Sequence, residues 1–143
     1  MKKILIIIIS SFLFVNILNA EETKINLLSE SGIIMESTTG KVLFEKDADT
    51  LRPPASMTKI MTMLLITEEI EKGNISLKDV VTISERAANM GGSQIYLEKG
   101  STSTVEELLT TIAVGSANDS AVAMAEKIGG TVENFVSMMN KRA

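Results

Sequence analysis

The only two prolines of the chain, Pro53 and Pro54, stand side by side, and the stretch after them constrains the fold more than any other. Proline fixes φ and biases the residue before it toward extended backbone, so a preceding element must end there and a helix can begin afterwards. From Ser56 to about Lys72 every residue is a good or tolerable helix former, and Gly73 is a suitable C-terminal stop. Six of the seven residues from Ile60 to Ile66 are apolar, which leaves no wide polar face and predicts a helix buried on most sides. A buried helix that opens with Ser56 and Lys59 needs a reason for both.

Three residues apart on a helix, Ser56 and Lys59 share one face. At the helix start Ser56 also lies where backbone N–H groups are unpaired and the dipole favours negative charge. A hydroxyl is inert without a neighbouring base, and a lysine amine becomes one only when desolvation or a nearby cation lowers its pKa. An apolar helix would supply that desolvation. The competing reading is a helix-capping serine followed by a lysine snorkelling to the surface, and the Ser-x-x-Lys pattern alone does not separate the two.

The absence of histidine narrows the chemistry further. Ser-His-Asp and Cys-His catalysis are excluded, as are histidine metal sites, so the base that activates a hydroxyl must be a lysine, a carboxylate or Tyr96. There is no cysteine either, so the domain must stand without disulfides. Met1-Lys2-Lys3 and the apolar run from Ile4 to Leu18 read as a secretory signal peptide cut after Ala20, with an uncleaved anchor as the alternative. Residues 1–20 are thus assigned to export and residues 21–143 to the folded domain. The formal charge of −4 becomes −6 without Lys2 and Lys3, which argues against nucleic acid and against an electrostatic hold on anionic lipid.

Along the exported part, Gly32–Glu36 and Lys41–Lys46 read as two strands of a hairpin around the turn Ser37-Thr38-Thr39-Gly40. After the central helix, Val80–Ile83 is a short β-branched run and Ser84–Ala88 a helical turn. Gly91–Leu97 is flexible at first and apolar after. Ser103, three residues before Glu106, has the form of a capping box for a helix to about Val114, packed through Leu108, Leu109, Ile112 and Ala113 and stopped by Gly115. Asn118 or Asp119 can cap the next helix, through Ile128, and Thr131 opens the last one. A two-stranded hairpin needs further strands or packing to be stable, so two early strands followed by helices are an unfinished plan for an α+β domain.

Pro54-Ala55-Ser56-Met57-Thr58-Lys59, together with Ser116-Ala117-Asn118-Asp119-Ser120-Ala121, closely resembles the serine D-alanyl-D-alanine carboxypeptidases, the low-molecular-weight penicillin-binding proteins. The likeness runs from about Ser31 to Asn140. The resemblance implies the N-terminal part of a β-lactamase/transpeptidase-like α+β domain, an antiparallel sheet flanked by helices, with downstream strands absent. It implies Ser56 as the acylated nucleophile, Lys59 as its base, Ser116 as a proton relay and Asn118 as a ligand of Lys59 or of the substrate carbonyl, with Ser93 near the mouth of the site. For Ser116 and Asn118 simple helix capping is the competing reading, and for Ser93 an ordinary Gly-Ser loop.

The implied substrate is a peptidoglycan stem peptide ending in D-Ala-D-Ala, with β-lactams as inhibitors and the cell envelope as location. Membrane association would come only through the signal segment or a missing C-terminal region. No metal or organic cofactor is implied, since acyl transfer by serine needs neither. The Lys-Thr-Gly motif that such enzymes carry downstream does not follow Asn118, so the sequence reads as the N-terminal portion of a longer enzyme, weakly active or inactive by itself. Two alternatives stay open: a serine β-lactamase, which usually has Ser-Asp-Asn where Ser116-Ala117-Asn118 stands, and a non-catalytic exported binding module.

Overall fold

A computed structural model describes residues 25–143; the expected leader, residues 1–20, lies outside the described residues. The chain divides after Leu51 into two compact units. In the first, β1 (Gly32–Met35) pairs antiparallel with β2 (Val42–Lys46) in the register Gly32 to Lys46, with an irregularity between Ile34 and Met35. Glu36 closes the hairpin. Its carboxylate accepts the backbone N–H groups of Thr38 at 2.9 Å and Thr39 at 2.6 Å, and the Thr39 hydroxyl as well. That hydroxyl first, then the two amides, favour the charged form and hold the Glu36 carboxyl down at about 2.

In the second unit, Arg52–Ala143, helical structure begins as expected after the proline pair. A 3₁₀ turn, Ala55–Met57, leads into α1 (Thr58–Glu71), and Gly73 follows at φ +74. The short β3 (Val80–Thr82) pairs antiparallel with β4 (Thr102–Thr104), and α2 (Glu85–Ala88) is a single turn capped by Ser84, whose hydroxyl accepts the Ala87 N–H. Then come α3 (Val105–Gly115), α4 (Asn118–Gly129) and α5 (Val132–Arg142). Thr131 caps α5 as the sequence predicts, its hydroxyl accepting the Asn134 N–H. The core is a helical layer closed by β3. Ile66 of α1, Val81 and Ile83, Leu108 and Ile112 of α3, and Met124 of α4 meet there, while Phe135 fixes α5 to Leu65 and Ala125.

Five expectations are corrected. The helix at 58–71 is not buried on most sides: Thr62, Leu65 and Ile66 are buried, while Ile60 is 66% exposed and Leu64 also lies in the exposed class. It packs on α3, α4 and α5 along one side, so apolar residues around the rest of its circumference find no partner among the described residues. The capping box is one residue later than predicted. Thr104 accepts the Glu107 N–H and Glu107 reaches back to the Thr104 N–H, because Ser103 is held in β4 opposite Val81. On α3 Ala113 is exposed, and the helix is turned not by Gly115 but by Ser116, which takes the left-handed conformation at φ +53. Neither Asn118 nor Asp119 caps α4; its N-cap is Ala117, without a side-chain hydrogen bond, and both polar side chains are engaged elsewhere.

Candidate active site

The 3₁₀ turn delivers Ser56 to the mouth of a cleft of about 360 Å³. Ala55, just before the serine, is strained at φ +48, a conformation that a non-glycine residue keeps only where the surroundings over-determine it. Ser56 is exposed, and neither the 3₁₀ turn, with Pro54 as N-cap, nor α1, with Met57 as N-cap, has a side-chain capping hydrogen bond. The capping explanation for the serine therefore fails. Lys59, one turn on, is half-buried and points inward, so the snorkelling explanation fails too: its Nζ donates to Asn118 Oδ1 at 2.6 Å.

That bond joins the two polar clusters separated by almost sixty residues of sequence. Asn118 stands at the first position of α4, and its side chain is fixed at both ends. Nδ2 donates to the Gly91 carbonyl at 2.7 Å, which leaves Oδ1 facing the lysine. Its backbone N–H donates to the Ser93 carbonyl, also at 2.7 Å. Gly92, at φ +79, lets the loop pass this close: a Cβ there would stand 2.8 Å from Asn118 Nδ2.

Ser56, Lys59 and Asn118 all line the cleft, with Thr62, Met90 and Ala121 among its other walls. Ser116 and Ser93 do not. Ser116 lies just before α4, its hydroxyl oxygen buried without a hydrogen-bond partner among the described residues. A buried hydroxyl without a partner on a residue with positive φ is uncommon. Ser93 contributes its carbonyl to the Asn118 N–H, while its residue surface stays exposed. Among the described residues no hydrogen bond links Ser56 to Lys59, so the lysine is held by the amide and not by the hydroxyl. No group of three or more acidic side chains gathers to hold a metal ion among the described residues.

Two features of the site escaped the sequence reading. Thr62 is a buried cleft wall, and its place three residues beyond Lys59 was the available signal, since that spacing continues the Ser56 and Lys59 face. The Gly91 carbonyl carried no such signal, because a backbone group acquires a role only through tertiary contact.

The family model described as D-alanyl-D-alanine carboxypeptidase matches residues 18–143. D-alanyl-D-alanine carboxypeptidase DacF of Bacillus subtilis is 55% identical over 115 residues, covering 80% of this chain and 30% of that protein. Among solved structures, the D-alanyl-D-alanine carboxypeptidase DacD from Francisella tularensis superposes with a TM-score of 0.76 at 42% identity, over 82% of this chain and 29% of that one. Penicillin binding protein 5 from Haemophilus influenzae gives 0.78 at 33% identity, over 84% and 36%. The chain spans about 30% of the length of the curated relatives it matches.

Proposed function

Since the chain belongs to the Peptidase S11 family of D-alanyl-D-alanine carboxypeptidases, we propose that it carries the nucleophile half of a serine carboxypeptidase site acting on peptidoglycan stem peptides ending in D-Ala-D-Ala. The observation that carries this reading is the 2.6 Å bond from Lys59 Nζ to Asn118 Oδ1, which makes one site of two separate motifs. In the proposed reaction Ser56 Oγ attacks the carbonyl of the penultimate D-alanine and its proton passes to the Lys59 amine. Asn118 holds that amine in place while the Ser56 N–H can donate to the developing oxyanion. The tetrahedral intermediate collapses with cleavage of the C–N bond. The departing D-alanine amine takes up the proton held on Lys59, with the Ser116 hydroxyl, just outside the cleft lining, as the relay, and an ester is left on Ser56. Water then hydrolyses the ester, releasing the shortened stem peptide and restoring the hydroxyl.

β-Lactams would acylate the same serine, a reading supported by the penicillin-binding relative from Haemophilus influenzae. Residues 1–20 would direct export, so that the site works in the cell envelope. Fluorescent penicillin labelling of the native gene product tests the assignment. Stable label on the wild type and none on Ser56→Ala is the expected result; equal labelling of both sinks the assignment, and rapid turnover without a lasting adduct indicates a β-lactamase instead.

A further inference from the structure

Behind the cleft lies a carboxylate that this chemistry does not use. Asp119 is 0% exposed, and among the described residues its carboxylate accepts only from backbone amides. Oδ2 takes the N–H of Ile95 at 3.0 Å and of Leu97 at 3.1 Å, and Oδ1 takes that of Ser120 at 2.9 Å. Two amides flanking one residue and converging on one anion form a nest, a concavity that arises when part of the backbone turns left-handed. Tyr96, between them, does so at φ +61. Such a conformation is disfavoured for tyrosine and persists only where something outside the residue holds it.

The segment 91–97 is therefore tied to the first turn of α4 at two adjacent residues. Asp119 grips its far end through Ile95 and Leu97. Asn118 is gripped by its near end, through the Ser93 and Gly91 carbonyls. The second tie fixes which way the Asn118 amide faces, and that amide holds Lys59.

We propose that Asp119 is a positioning residue for the reaction: seated in the nest around Tyr96, its carboxylate holds segment 91–97 so that the Gly91 and Ser93 carbonyls orient Asn118 and, through it, Lys59. This rests on the serine-acylation reading given above. The carboxylate does not line the cleft; its effect on Ser56 passes through the loop.

Asp119→Asn in the native gene product tests the role, because an amide nitrogen replacing one oxygen turns a donor toward donors. Amide hydrogen exchange at Ile95, Leu97 and Asn118 should accelerate by about 10- to 100-fold, the range that an unsatisfied buried group allows. Acylation of Ser56 by fluorescent penicillin should slow at least about tenfold, since Asn118 then loses its fixed orientation. Tyr96→Pro, whose ring forbids positive φ, opens the nest from the exposed side and should give the same pattern if Asp119→Asn does not fold.

Thr111→Val is the structural control. It breaks the buried hydroxyl pair with Ser120 one residue from Asp119 without touching the loop. At an equal drop in melting temperature it should leave acylation and those three amides as in the wild type. Unchanged exchange or unchanged acylation in Asp119→Asn overturns the proposal, as does equal slowing in Thr111→Val. A wild type that takes no label sinks the acylation reading instead, and exchange at the three amides still decides whether Asp119 holds the loop.

Discussion

Gly92 and Gly100 form a matched pair on which the cleft geometry can be tested. Both take a left-handed φ, +79 and +81, but a Cβ at Gly92 meets Asn118 Nδ2 at 2.8 Å while one at Gly100 meets nothing within 4 Å. Alanine at either position bears the left-handed backbone cost of about 1–2 kcal/mol. At Gly92 the Asn118 amide must also move, and with it goes the bond to the Gly91 carbonyl, a further loss of about 0.5–1.5 kcal/mol. The backbone cost cancels in the comparison, so Gly92→Ala should be the less stable variant by about 1 kcal/mol, or about 4–8 °C in melting temperature for a unit of this size. Thermal unfolding of the two variants reads that gap directly. Penicillin labelling adds a second readout, since displacing Asn118 disturbs Lys59: Gly92→Ala should acylate more slowly and Gly100→Ala at the wild-type rate. Equal melting temperatures with equal labelling would show that Asn118 is not held against the loop, and the site geometry would have to be abandoned.

Two further outcomes follow from the capping interactions. Glu36 has its folded pKa depressed to about 2 from an ordinary 4.5, so its contribution to the hairpin turn is present above pH 4.5 and is lost as pH falls toward 2. The Thr38 and Thr39 amide chemical shifts should titrate near 2 in the wild type and lose that titration in Glu36→Gln; a midpoint at 4.5 in the wild type would mean that the carboxylate does not hold the turn. For α3, Thr104→Ala should cost about 0.5–2 kcal/mol and Ser103→Ala less than about 0.5 kcal/mol. Denaturant unfolding that ranks them the other way would return the capping box to Ser103 and Glu106.

The resemblance carried by Ser56, Lys59, Ser116 and Asn118 led to the family that the comparisons establish, and the α+β penicillin-binding class is borne out by the solved structures it superposes on. The elements were legible for local reasons. Pro53 and Pro54 announce α1, Gly73 closes it, and Ser84 and Thr131 cap as their side chains dictate. Where the reading slipped, a longer-range contact had outweighed a local preference. Pairing of Ser103 with Val81 moved the capping box to Thr104, and packing of α1 along one side left Ile60 exposed despite an apolar neighbourhood.

The sequence by itself determined that within these 143 residues a base for a serine hydroxyl must be a lysine, a carboxylate or Tyr96, because they contain no histidine and no cysteine, and residue types need no fold to be counted. Only the tertiary structure decided that Lys59 meets Asn118, that Ser116 turns left-handed with its hydroxyl orphaned, and that Asp119 reaches back to the amides around Tyr96. The first and last of these depend on groups 59 and 22 residues apart in sequence, and backbone carbonyls and amides, which every residue carries, acquire a role only from what folding brings within about 3 Å of them.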